Sequence, residues 1–172
     1  EFRRVLFRSL LFGRKLTPSA GFAAGAISGA GYALFESLVL TMGGESWVAV
    51  VMARVGTAAV HIFTSAVTGW ALVQAWQTRR ILRLLAAYTF GVVFHGLWNA
   101  LAILSLFASL LSYSDQVDGW LSILEPAIYA PYVVGFLALL SLAALIGLNH
   151  YFAKEAALAM EQKALSKKPV SL

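Results

Sequence analysis

Apolar residues run through the chain in four long stretches separated by short polar intervals, a pattern that predicts four membrane helices. The stretches cover about Pro18 to Met42, Trp47 to Trp76, Leu84 to Leu111 and Ala127 to Phe152. Each exceeds the roughly 20 residues that one helical crossing needs. The intervals differ in character. Met42 to Ser46 is a short turn containing Gly43 and Gly44, Gln77 to Arg83 is a basic connector, and Ser112 to Pro126 is a longer loop carrying Asp115, Asp118 and Glu125. Pro18 suits the first turn of its helix, where a missing N–H is harmless. Pro131 caps or kinks the start of the fourth span. Residues from Lys154 to Leu172 form a polar tail, either amphipathic or frayed.

Composition agrees with this reading. Only 12% of the 172 residues are charged and 60% are hydrophobic, with a mean hydropathy of +0.77. Soluble domains carry about 25% charged residues, so the fold class expected is an all-α, polytopic bundle embedded in a lipid bilayer. With no cysteine, disulfide scaffolds, thiolate zinc sites and cysteine nucleophiles are excluded. The isoelectric point of 9.8 and net charge of +5 do not indicate nucleic acid, because no compact basic block is present. The cations sit beside the spans instead. Arg14 and Lys15, then Arg79, Arg80 and Arg83, then Lys154, Lys163, Lys167 and Lys168 fall on one side. The positive-inside rule then puts both termini in the cytoplasm and the acidic loop outside. Trp47, Trp76, Tyr113, Trp120 and Tyr151 mark span boundaries, as interfacial aromatics do.

The first nine residues, Glu1 to Ser9, resemble the in-frame translation of a common short-read sequencing adapter. Setting aside Glu1, Arg3, Arg4 and Arg8 lowers the formal charge from +5 to +3. The expectation is that the natural chain continues upstream of Leu10 and that these residues stay out of any fold argument.

Ionisable groups inside a span are costly, by about 2.5–3.5 kcal/mol at the centre on insertion scales, and three spans carry them. In the first, Gly21, Gly25 and Gly29 make a small-residue ridge continued by Ala33 and Ser37, with Ser28, Tyr32 and Glu36 on the neighbouring ridge. The glycines read as close helix packing. Glu36 is either a structural carboxyl bonded to an adjacent helix or part of a site. The second span places Arg54, His61 and Thr68 at intervals of seven, with Thr57, Thr64 and Ser65 between. That face must look into the bundle or a wet cavity. Arg54 could snorkel from its depth, but its phase matches His61 and suits neutralising a carboxylate. The third span sets His95 and Asn99 four apart, beside Trp98. The fourth has no ionisable group in its apolar interior and reads as scaffold, with His150 at its surface end. At about 1.5 Å per residue, Glu36, His61 and His95 lie roughly 27, 22 and 16 Å from the cytoplasmic boundaries, so tilted helices bring them into one layer. Two histidines and a carboxylate suit a metal such as zinc, with water as fourth ligand. They equally suit acid–base work on water, and spacing does not choose.

These residues match a family pattern. Gly29-Ala30-Gly31-Tyr32-Ala33-Leu34-Phe35-Glu36 resembles the G-x-G-[FY]-A-x-x-E segment of the PrsW family of intramembrane proteases. Arg54 with His61 to Gly69 resembles its R-x6-H-x-x-[TS]-[ASG] helix, and His95-Gly96-Leu97-Trp98-Asn99 its H-x-x-W-N motif. Order and span placement agree over about Pro18 to Ala102, and more loosely through the fourth span. The resemblance implies a transmembrane domain over residues 10–152 with a cytoplasmic tail from 153. It implies an endopeptidase, metal-dependent or glutamate-dependent, that cuts membrane-anchored proteins such as anti-sigma factors in the plasma membrane. Glu36, His61 and His95 would form the catalytic or metal-binding set. Asn99 would orient a histidine or stabilise an oxyanion, and Arg54 would position carboxylates. Family members also carry a Glu-Glu-x-x-[Lys/Arg] motif on an earlier helix, whose glutamates are thought to activate water. This chain has no Glu-Glu pair, and Ser37 stands where Asn is common. The adapter-like start explains the missing pair if its helix lies upstream, and this polypeptide alone is then expected to be inactive. Two rival classes remain. One is a non-catalytic scaffold, like the related membrane subunit of γ-secretase. The other is a proton-coupled carrier using Glu36, Arg54 and the histidines as a relay, although no internal repeat supports it.

Overall fold

The computed structural model describes residues 16–40, 47–112 and 127–166. They form four helices: α1 (Pro18–Leu40), α2 (Trp47–Thr78), α3 (Ile81–Ser112) and α4 (Ala130–Leu165). No strand occurs among the described residues. The expected turn at 43–46, the acidic loop and the adapter-like residues 1–9 lie outside them.

Local chemistry sets the helix ends. Thr17 caps α1, its hydroxyl accepting the Ala20 N–H at 3.2 Å and its carbonyl the Gly21 N–H at 3.0 Å. Pro18 then takes the first helical position, as its fixed φ favours. The basic connector is shorter than its sequence suggests. α2 runs on to Thr78 and α3 starts at Ile81, so only Arg79 and Arg80 link them. Arg79 turns the chain with φ at 54°, in the left-handed region that costs a non-glycine residue roughly 1–2 kcal/mol. A short 3₁₀ turn over 127–129 leads into α4, with Pro131 in its first turn. α4 does not end near Phe152 but continues to Leu165. The reason is local: Ala153 to Leu165 is rich in Ala, Glu, Lys, Leu and Met, all strong helix formers, with no glycine or proline to stop it.

Among the described residues, three helices are long and apolar enough to cross a membrane: Arg54–Thr78, Ile81–Ala108 and Ala127–Gln162. Only 6% of the apolar window of α3 and 11% of that of α4 is buried within the bundle. Their outer faces, with residues such as Leu106, Phe107, Phe136 and Leu139, are therefore surfaces for lipid. The chain is a multi-pass membrane protein.

α2 is the central helix and touches the other three. α1 runs antiparallel to it. The Gly25 position abuts the backbone at Ser65, while a Cβ on Gly29 would stand 2.5 Å from the His61 carbonyl oxygen and one on Gly21 2.5 Å from a Val73 methyl. The ridge of small residues thus brings two backbones into direct contact. α3 is also antiparallel to α2, pairing Thr57 with Trp98 and His61 with His95. α4 lies parallel to α2, with Ala138 near Gly56 and Phe152 near Trp70. Two apolar clusters tie the bundle, one of Phe22, Ala66 and Phe152, the other of Val60, Trp98 and Leu137. Backbone contacts join α2 to both α1 and α3, whereas α1 and α3 make none with each other among the described residues. That leaves an open trough over α2.

Candidate functional site

The site lies where the glycine ridge ends. Two turns beyond Gly29, Glu36 emerges opposite both Arg54 and His61, which share a face of α2 because seven residues complete nearly two turns. Glu36 Oε2 is 3.4 Å from an Arg54 guanidinium nitrogen and 3.1 Å from His61 Nε2. A carboxylate paired with arginine only accepts, so His61 Nε2–H donates to it. His61 is 7% exposed, yet its ring is fixed from three sides. Glu36 holds the edge, the Tyr32 ring lies 4.8 Å away by centroids, and the His95 ring lies 4.5 Å away at 41°.

α3 supplies the other half. Asn99, one turn on from His95, bonds to it at 3.2 Å between Nδ2 and Nε2. The amide nitrogen donates, so His95 Nε2 accepts and its proton sits on Nδ1. That nitrogen is buried and has no hydrogen-bond partner among the described residues. Trp98 sets the depth of α3 against α2: it is 3% exposed, its Nε1–H donates to Thr57 Oγ1 at 3.3 Å, and its six-membered ring covers Gly56. A Cβ on Gly56 would come 2.8 Å from that ring.

All five residues that the sequence singles out therefore meet in one contiguous row, Arg54–Glu36–His61–His95–Asn99, drawn from three helices. His150 is exposed and stands apart from it. The polar face of α2 is less polar than its sequence suggests, since Thr64 and Thr68 donate back to the carbonyls of Val60 and Thr64 at 2.8 Å, a common way to hide a hydroxyl in a helix. Sequence reasoning did not assign roles to Tyr32, Thr57 and Trp98. The signal was present in spacing: Tyr32 precedes Glu36 by one turn, Thr57 precedes His61 by one turn, and Trp98 follows His95 by three residues.

Two imidazoles and a carboxylate are suitable donors for a metal. In the observed arrangement, however, Glu36 and His61 bond to each other and His95 Nε2 takes an amide proton. Among the described residues no group of three His, Cys, Asp or Glu stands in a metal-holding arrangement. A metal on these residues requires the Glu36–His61 bond to open.

The trough beside the row is a cavity of about 630 Å³. His95, Ser28 and Thr64 line one end and Leu16 and Trp76 the other, with Gly25 and Gly69 along its length. From Ser28 to Leu16 the helical rise makes it roughly 18 Å long.

Comparison with curated proteins and with solved structures finds no match. Residues 4–146 match the family model described as PrsW family intramembrane metalloprotease, and with most of its length so matched the chain belongs to that family of membrane-embedded peptidases.

Proposed function

We propose that this chain carries the polar core of an endopeptidase that cuts membrane-anchored proteins, anti-sigma factors among them, in the plasma membrane. The observation that carries the reading is the row of Arg54, Glu36, His61, His95 and Asn99 beside an 18 Å-scale trough. Arg54 neutralises Glu36, and Glu36 fixes the ring and tautomer of His61, as a carboxylate does for a working imidazole. His61 and His95, ring against ring, each hold a proton next to the trough. Asn99 orients His95. The trough, floored by glycines and back-bonded threonines, admits an apolar segment of substrate to that row. A zinc ion on Glu36, His61 and His95 would polarise a peptide carbonyl when bound, and it would take the place of the Glu36–His61 hydrogen bond. The sequence holds no Glu-Glu pair, and the water-activating base is assigned to such a pair outside these residues. The polypeptide alone then binds substrate without cutting it. Mapping of new protein N-termini in membranes from cells with and without the full-length protein tests this reading. Termini within or beside single spans should disappear with the protein; if no membrane protein's termini depend on it, the scaffold reading replaces the protease.

The same proposal includes four spans with both termini inside, α1 crossing as a helix sheltered against α2. The chain has no cysteine, so Lys15→Cys, Asp118→Cys and Ser166→Cys report their sides without background. In intact cells a membrane-impermeant maleimide should label only the Asp118 variant. Labelling of the Lys15 variant from outside would show that α1 does not cross, and labelling of the Ser166 variant would invert the orientation.

A further inference from the structure

A second cavity, of about 290 Å³, lies on another face of α1 among α1, α2 and α4, near the end where Pro18 begins the bundle. Each helix gives it a pair of residues four apart: Pro18 and Phe22, Trp70 and Gln74, Tyr151 and Glu155. Such pairs share one helix face. Phe152 forms the hub of its aromatic wall, with ring centroids 5.0 Å from Phe22, 6.4 Å from Trp70 and 5.3 Å from Tyr151. Glu155 and Gln74 bring a carboxylate and an amide to this lining. Glu155 has no ion-pair or hydrogen-bond partner among the described residues. The Gln74 side-chain amide likewise has no partner among them. None of these residues belongs to the row around His61.

We propose that this cavity is a binding site for a small organic ammonium group, held by the Glu155 carboxylate, the Gln74 carbonyl oxygen and the faces of Trp70 and Tyr151. Aromatic faces attract ammonium groups through their quadrupole, tryptophan most strongly. The Glu155 carboxylate at the same cavity supplies the counter-charge for a cation, which a neutral or anionic ligand would not use. The cation reaches the cavity either as the amine head group of a membrane lipid or as a free amine. The chemistry of recognition is the same.

The test uses the full chain in nanodiscs of phosphatidylglycerol, titrated with choline and followed by saturation transfer to its N-methyl protons. Binding should saturate, and Glu155→Gln and Trp70→Leu should each weaken it by about tenfold. Glu161→Gln removes the same charge from an exposed position farther along α4 and should leave it unchanged. A thermal melt of each variant separates lost binding from lost folding. Competition by phosphatidylethanolamine added to the nanodiscs identifies a lipid head group as the natural source, and absence of competition identifies a free amine; either supports the site. Unsaturable binding overturns the proposal, as does equal weakening by Glu155→Gln and Glu161→Gln, which would mean general surface attraction.

Discussion

Glu36→Gln should lower cleavage by the full-length protein by about 10²–10⁴-fold while leaving its insertion and thermal melting intact. That range is the contribution of a positioned acid–base group. Glutamine keeps the shape and still offers an oxygen to the His61 N–H, so the bundle has no reason to come apart. What it removes is the charge that Arg54 faces at 3.4 Å and that holds the His61 proton on Nε2. His61→Ala and His95→Ala should produce losses of the same order by a different route, since each deletes one ring of a pair whose centroids are 4.5 Å apart. His150→Ala should be silent, because that side chain is exposed and lies on none of these contacts. The measurement is the rate of disappearance of a membrane-anchored substrate in membranes holding equal amounts of each variant. Retained cleavage in any two of the three site variants would sink the shared-site reading. Because Glu36 bonds directly to His61, losses from the double variant should be far from additive, as for residues that act as a unit.

The row of site residues was legible in the sequence because ionisable side chains in apolar helices are few. Once Glu36, Arg54, His61 and His95 stand out against 60% hydrophobic residues, the cost of burying charge argues that they meet. Depth counting placed them in one layer, and the spacing of seven between Arg54 and His61 put both on one face. The partners within the row were harder to read. Nothing in the sequence says that Glu36 takes His61 on one oxygen together with Arg54, or that Asn99 turns its amide toward His95, since those depend on the rotation of three helices about their axes. Thr57 looked like a turn filler, yet its hydroxyl receives the Trp98 indole. The length of α4 beyond Phe152 has another cause. Hydropathy marks where a helix leaves the membrane, whereas helix propensity decides where it stops, and beyond Phe152 the alanines and lysines continue the helix as far as Leu165. The polar face of α2 announced a cavity without its shape, since the gap between α1 and α3 among the described residues has no sequence signature.

The glycine ridge carries the second large effect. Gly25→Leu should abolish activity and lower the melting temperature in detergent or nanodiscs, whereas Gly31→Ala should leave activity nearly unchanged and should not lower the melting temperature. A Cβ at Gly25 would run into the backbone at Ser65, and one at Gly29 into the His61 carbonyl, so any side chain there must push α1 off α2. Neighbouring backbones do not yield as flexible side chains do, and overpacking of this kind typically costs about 1–3 kcal/mol even where relaxation is possible. The displacement would be greatest for function because Glu36 lies on the same helix, two turns past Gly29, and reaches His61 only across the close contact. Gly31 is the internal control. It belongs to the same helix and the same short motif, but nothing lies within 4 Å of its Cβ position. Alanine there adds a better helix former, worth up to about 1 kcal/mol. If Gly25→Leu melted like the unaltered protein, α1 and α2 would not be held by backbone contact, and the position of Glu36 would need another cause. If it melted lower but kept full cleavage, the ridge would be structural only, and the link from glycine spacing to the Glu36–His61 bond would fail.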